Sequence, residues 1–297
     1  MNLGTRIIVG EEEYLLIKGY QEVEKYRKSL NQLTRQTFGF DFEDWFTQGL
    51  WTDRYCPYSL VHKEQVVANV SVNTMDFSSG GRLYHTLQIG TVMTEPNYRG
   101  RGLSKILFDF IMEEYEGKVE LMYLYANGSV LNFYPKFGFA KAKEYIYSKE
   151  FVKKDQYAFR KLDGTKKDDR ELLLRIISNA KPVSKYALVN NPYLPMFYLT
   201  APMADNIYYC EELELVAVAE YGEEGLLIYD IFCSRDCSPE EVIPSLLHQK
   251  EGRVLLGYTP CNSELYQVKL LQEPDTTFFV KGNNFALKGR LPILSHA

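Results

Sequence analysis

Thr91-Val92-Met93-Thr94-Glu95-Pro96-Asn97-Tyr98-Arg99-Gly100-Arg101-Gly102-Leu103-Ser104-Lys105 is the stretch on which the fold of this chain turns. Before it, Leu83 to Met93 is rich in residues that suit a pleated strand. After it, Leu103, Ile106, Leu107, Phe110 and Ile111 fall at i, i+3, i+4, i+7 and i+8, the spacing of one helix face. A strand therefore feeds a turn holding Gly100 and Gly102, and the turn opens a helix. The first N–H groups of a helix lack intrahelical partners and carry the positive end of its dipole. Glycine lets such a backbone approach a ligand closely, and Arg99 and Arg101 add positive charge. The expectation is an anion seat suited to a pyrophosphate.

Other glycine-rich loops do not fit. Neither glycine is followed by Lys and Ser/Thr at the spacing of a Walker loop, and position 105, three after Gly102, is lysine and not the third glycine of a dinucleotide turn. The order Arg-Gly-x-Gly-Leu-Ser after a strand and a proline resembles the coenzyme A loop of the GNAT acetyltransferase superfamily. Downstream, Asn127-Gly128-Ser129-Val130-Leu131-Asn132-Phe133-Tyr134-Pro135-Lys136-Phe137-Gly138-Phe139 resembles the Asn…Phe-Tyr-x-Lys-x-Gly-Phe element of that superfamily, in the right order and at the right distance.

The resemblance implies an α+β fold: a mixed, mostly antiparallel sheet flanked by helices. It implies acetyl-CoA as acyl donor. The main chain at Val92, Met93 and Thr94 would pair with the pantetheine arm, and one N–H there would polarise the thioester carbonyl. Arg99, Gly100, Arg101, Gly102, Leu103, Ser104 and Lys105 would hold the pyrophosphate. Asn97 stands where the family usually has Gln or Arg. Asn127 and Ser129 match positions that touch the cofactor. Tyr134 matches the general acid, since a phenol is a proton donor at neutral pH. For the catalytic base, Glu95 at the end of the central strand and His85 further up it are the candidates, each acting directly or through water, and the competing reading of each is a solvated or hydrogen-bonded bystander. The implied acceptor is a small-molecule or peptide amine. A non-catalytic acyl-CoA-binding or regulatory protein is the alternative, and Tyr134 discriminates, because a mere binder needs no proton donor. An enzyme using a longer acyl group is a further alternative.

The chain has 297 residues, 45% hydrophobic and 25% charged, which suits a globular protein of two domains. A net charge of −5 argues against a nucleic-acid partner. The five cysteines include no Cys-x-x-Cys, and the four histidines show no metal spacing, so no metal is expected. No run of sequence suggests a signal peptide or a membrane span, and a cytoplasmic setting with reduced thiols follows as the expectation.

In chain order, Thr5 to Val9 and Tyr14 to Ile17 suit a strand pair. Gln21 to Thr37 suits a helix ended by Gly39, and a second helix starts near Asp41 as N-cap. The aromatics and carboxylates of Phe40-Asp41-Phe42-Glu43-Asp44-Trp45-Phe46 are candidates for the acceptor pocket. Tyr58 to Val61, Gln65 to Asn73, the strand from Leu83, and Val119 to Tyr125 follow, and Lys143 to Phe151 returns as the last strand of a first domain spanning 1–150. Charged residues from Lys153 to Arg170 mark the boundary. Residues 151–297 repeat the layout in outline, with strands at Leu213 to Ala219, Leu226 to Phe232, Arg253 to Tyr258 and Thr276 to Val280, and a capping box at Ser238-Pro239-Glu240-Glu241. This half has Cys233-Ser234-Arg235-Asp236-Cys237-Ser238 where the first has its glycine loop. It resembles the degenerate copy of tandem GNAT proteins. It would wall the acceptor pocket, form a homodimer contact, or stabilise the first domain.

Overall fold

The computed structural model describes residues 4–282, 285 and 287–296. The first half runs β1 (Thr5–Val9), β2 (Glu12–Lys18), α1 (Glu24–Phe38), α2 (Glu43–Thr47), β3 (Tyr55–His62), β4 (Gln65–Ser79), β5 (Arg82–Thr94), α3 (Leu103–Tyr115), β6 (Leu121–Ala126), β7 (Ala140–Lys141) and β8 (Tyr145–Val152). The second runs β9 (Arg160–Leu162), α4 (Lys167–Ser178), β10 (Ala187–Val189), α5 (Tyr193–Leu199), β11 (Ile207–Cys210), β12 (Leu215–Gly222), β13 (Gly225–Cys233), α6 (Pro239–Val242), β14 (Glu251–Leu256), β15 (Gln267–Leu270) and β16 (Thr277–Lys281).

Local chemistry accounts for the main boundaries. Gly39 closes α1 at φ 82°, with its N–H donating to the Arg35 carbonyl oxygen. The β3–β4 turn places Lys63 and Glu64 at φ 48° and 68°, and the β4–β5 turn places Gly80 and Gly81 at 57° and 78°, which gives both hairpins a left-handed two-residue turn. The N-cap of α2 is Phe42 and not the expected Asp41, although the Asp41 carboxylate, one position earlier, accepts the Glu43 N–H at 2.7 Å. The expected capping box at Ser238 does not form, because α6 is four residues long and the Ser238 hydroxyl bonds the Glu240 carboxylate instead.

Two sheets result among the described residues. The first has the order β1-β2-β3-β4-β5-β6-β16-β7, with β10 beside β4, and the second β15-β8-β14-β13-β12-β11-β9. Each is antiparallel except for one parallel pair, β5 with β6 and β13 with β14. The repeat expected from the sequence is present. The sheets do not, however, divide at residue 150. β8, expected to close the first sheet, pairs with β14 and β15 of the second, and β16, expected in the second, pairs with β6 of the first.

Burial explains the exchange. Between β5 and β16, strand β6 is buried along nearly its whole length, so its neighbour must be apolar on both faces. β16 supplies Phe278 and Phe279, both buried, whereas β8 carries exposed Glu150 and Val152 and suits a half-exposed place. One core cluster spans both halves, with Leu30 and Trp45 in it beside Leu173, Met196 and Val216. No helix among the described residues is long and apolar enough to cross a membrane.

Candidate active site

The site begins where two parallel strands part. β5 and β6 pair only from Thr86 to Ile89 against Leu121 to Leu124. Just beyond, a bulge sets Val70 of β4 opposite two residues of β5, Thr91 and Val92. Thr91 sits at φ 42°, a strained value for a β-branched residue. Buried Asn69 holds it there, donating from Nδ2 to the Thr91 carbonyl oxygen at 2.8 Å, and the Thr91 hydroxyl bonds that of Tyr55. The edge of β5 from Gly90 to Thr94 that faces away from β4 is left without a strand partner among the described residues.

The loop that follows matches its forecast in the main chain. Gly100 and Gly102 adopt φ 77° and 78°, and a Cβ at either would meet no protein atom within 4 Å. Ile106 is the first helix residue whose N–H bonds an earlier carbonyl, that of Gly102 at 3.2 Å. The N–H groups from Gly100 to Lys105 meet no acceptor among the described residues. The Thr94 and Ser104 hydroxyls, 2.8 Å apart, fix the helix start to the strand end. These unpaired donors, dipole and open space fit a pyrophosphate.

The loop side chains are less committed to an anion than the sequence suggested. Arg101 pairs with Glu12, donates to the Asn97 carbonyl oxygen and stacks on Tyr98, so its charge is already compensated. Lys105 pairs with Asp109 one turn on, and the Leu103 side chain is buried in the core. Arg99 reaches back to the Thr94 carbonyl oxygen at 3.2 Å.

A cavity of about 1120 Å³ runs from this opening toward the second half. Of the residues expected at the cofactor, Val92, Met93, Thr94, Arg99, Ser104, Asn127 and Ser129 line it, with Asn127 and Ser129 tied to each other by hydrogen bonds. Tyr134 lines it too. Its ring is wedged among Phe108, Phe133, Phe139 and Phe279, the last contributed by the exchanged strand β16. Its hydroxyl makes no hydrogen bond among the described residues, and burial pushes its pKa up to about 12. It is therefore a protonated, uncommitted donor facing the cavity.

Neither candidate base lines the cavity. Glu95 is absent from the cavity wall, and its carboxylate accepts the Asn97 N–H and Nδ2 at 2.8 and 3.0 Å, capping the turn at Pro96–Tyr98. His85 lies elsewhere, 2.7 Å from Asp76. Cys56 does not line the cavity either, and burial pushes its thiol up to about 11, far from a thiolate nucleophile. Of the acceptor-pocket stretch, Phe40, Asp41, Phe42 and Trp45 line the cavity, whereas Glu43 is spent on Arg27 and Asn31.

Tyr125, Leu194, Phe197 and Tyr198 also line the cavity and were not foreseen. Alternation along β6 marks Tyr125 as facing away from α3, but no chemical motif flags the aromatic run of α5. Behind Tyr125 lies a buried polar cluster. Its hydroxyl donates to Glu144 Oε1 at 3.2 Å, and the His296 ring stacks on it at 4.0 Å. Burial pushes the Glu144 carboxyl up to about 7, against the pull of Arg290. A raised carboxyl means that the folded protein holds this proton more tightly than the unfolded chain. Its contribution to stability is thus full below the ordinary Glu range and is lost as pH rises to about 7. Glu144→Gln removes that loss. Its melting temperature relative to the unmodified protein should rise by several degrees between pH 5 and pH 8, reflecting roughly 2–3 kcal/mol. Burial holds His296 neutral and acts in the opposite sense in both proteins, so it cancels in the difference. A difference that stays flat with pH would remove the buried-acid assignment.

The corresponding opening in the second sheet is closed by the chain itself. β13 and β14 pair over Leu226 to Ile228 against Val254 to Leu256, then part. Lys181 donates to the Cys233 carbonyl oxygen and Lys185 to that of Thr259, while Ile293 bonds Gly257 and Leu294 and Ser295 are buried beside it. Arg235 and Asp236 are occupied by Glu214 and Lys181.

Residues 22–142 match the family model of the acetyltransferase (GNAT) domain. Among solved structures, a protein of unknown function from Enterococcus faecalis V583, described as a probable N-acyltransferase, aligns over 90% of this chain and 71% of its own, with 16% identity and a TM-score of 0.60. A GCN5-related N-acetyltransferase from Kribbella flavida aligns over 91% and 71%, with 18% identity and a TM-score of 0.54. Eis1 from Mycobacterium abscessus aligns over 89% and 72%, with 14% identity and a TM-score of 0.55. These likenesses concern the fold, and they extend over both sheets. No curated protein sequence matches the chain.

Proposed function

We propose that this chain, whose residues 22–142 match the family model of the acetyltransferase (GNAT) domain, moves an acetyl group from acetyl-CoA to a primary amine by direct attack in a ternary complex. The observation that carries the reading is the single cavity that joins the unpaired strand edge at Gly90 to Thr94, the N-terminal end of α3, and the uncommitted hydroxyl of Tyr134.

In this reading the pantetheine arm lies along the free edge of β5 as an added strand, and the main-chain donors from Gly100 to Lys105 hold the pyrophosphate. An N–H of the Val92 to Thr94 segment polarises the thioester carbonyl and stabilises the oxyanion that develops on attack. A neutral amine adds to the carbonyl carbon, the carbon–sulfur bond breaks, and Tyr134 gives its proton to the departing thiolate. The protonated product loses its proton to water. The catalytic unit of residues 1–150 is completed by Phe279 behind Tyr134. Residues 151–297 wall the acceptor end and carry no cofactor site of their own. The setting we propose is the cytoplasm, where acetyl-CoA is available.

Calorimetric titration with acetyl-CoA, followed by a thiol-release assay over a panel of amines, tests this reading. The expected result is one site per chain and amine-dependent release of thiol. Two sites would mean that the second sheet also binds cofactor, and binding without transfer to any amine would favour a non-catalytic acyl-CoA-binding protein.

A further inference from the structure

The half of the cavity beyond Tyr134 is built from rings and offers almost no free polar chemistry. Phe40, Phe42 and Trp45 come from the α1–α2 region, Tyr55 from β3, and Phe197 and Tyr198 from α5. Phe197 is the keystone, with ring centroids 5.9 Å from Phe40, 6.0 Å from Phe42 and 5.6 Å from Trp45. Phe42 and Trp45 are buried, while Phe40 is 39% exposed at the rim. These rings touch one another, so they form one continuous aromatic wall of the cavity with Phe40 at its exposed rim.

The polar groups in this half are already engaged. The Thr37 hydroxyl donates to the Leu33 carbonyl oxygen, those of Tyr55 and Thr91 bond each other, and that of Tyr198 donates to the His296 carbonyl oxygen. Asp41 is the only carboxylate among the described lining residues, and it is paired with Arg35 and with the Glu43 N–H. A polyhydroxylated acceptor would lose many bonds to water and find only the spare acceptor lone pairs of these few groups in return. A polycation would bring charges that no free carboxylate meets. A flat aromatic body, in contrast, finds ring faces and edges along this wall.

We propose that the acceptor is an aromatic monoamine: a primary amine on a short linker, attached to a ring that packs in the cavity against the wall of Phe40, Phe42, Trp45, Tyr55 and Phe197. The proposal rests on the N-acetyl transfer reading above and deepens it. The ring packs on this wall, and the linker carries the amine back toward the thioester position beside Thr91 and Tyr134. Phe197 and Phe40 set specificity without touching the reacting atoms.

The test compares tryptamine, spermidine and glucosamine in the thiol-release assay at saturating acetyl-CoA. Tryptamine should exceed each of the others by about 100-fold in kcat/KM, the scale of one buried ring. Phe197→Ala should lower the tryptamine value by about 10-fold or more, mainly through KM, with acetyl-CoA affinity unchanged. Phe40→Ala, at the exposed rim, should act in the same direction and serves if Phe197→Ala fails to fold. Equal or faster transfer to spermidine or glucosamine would overturn the proposal and leave the acetyltransferase reading standing. Acetyl-CoA binding with transfer to none of the three would also overturn it. Failure to bind acetyl-CoA at all would instead remove the reading on which it rests.

Discussion

Gly102→Glu is expected to abolish acetyl-CoA binding while leaving the protein folded. Gly102 caps α3 at φ 78°, and no protein atom lies within 4 Å of where its Cβ would be. The backbone strain of a non-glycine residue there is about 1–2 kcal/mol, a modest fraction of the stability of a domain. The effect on the ligand is much larger. The new carboxylate would stand among the unpaired N–H groups from Gly100 to Lys105, taking the donors meant for the pyrophosphate and repelling its charge. Losing even two charge-assisted hydrogen bonds removes roughly 3 kcal/mol or more, over 100-fold in affinity. Calorimetry at concentrations that saturate the unmodified protein should show no heat of binding. Gly102→Ala, with the same strain and no charge, should bind measurably more tightly than the glutamate variant. Normal binding by Gly102→Glu would mean that this loop does not seat the cofactor.

The parts of the site legible in the sequence are those where backbone conformation and sequence are locally coupled. Two glycines flanking an arginine, before a stripe of helical period, left few alternatives to a strand–turn–helix with an open N-terminus. Tyr134 was legible by its register within Phe-Tyr-x-Lys-x-Gly-Phe, although its packing shell was not, because Phe279 arrives from 145 residues downstream. What failed to show in the sequence depends on distant partners. β8 and β16 each read correctly as strands, but the choice of sheet followed from which strand tolerates burial on both faces beside β6. Glu95 has the right residue type at the right strand end, yet the turn at Pro96–Tyr98 claims its carboxylate. Arg101 has the right charge, yet β2 supplies Glu12 to neutralise it. The aromatic run of α5 has no spacing that signals a ligand, and only its approach to Phe40 and Trp45 turns it into a pocket wall.

The strand exchange also bears on what turnover requires. Since β16 backs the Tyr134 ring, the proposed proton donor packs against a residue that the first 150 positions do not contain. Tyr134→Phe isolates the donor from that packing. The ring contacts with Phe108, Phe133, Phe139 and Phe279 all survive the change, and the deleted hydroxyl has no hydrogen-bond partner among the described residues. The folded state therefore loses nothing it was using, and the melting temperature should stay within the range of a neutral substitution, about 0.5 kcal/mol. Acetyl-CoA affinity should also hold. Turnover should not. With its pKa pushed up to about 12, the phenol stays protonated throughout the working range of the assay and is available whenever charge builds on the leaving sulfur. Without it the thiolate leaves unassisted, and kcat should fall by about 100-fold or more, the usual scale for removing a general acid. Because cofactor affinity and stability are measured on the same sample, a fall in kcat alone assigns the proton transfer to Tyr134. Unchanged kcat would make Tyr134 a packing residue and send the search for the donor to water within the same cavity.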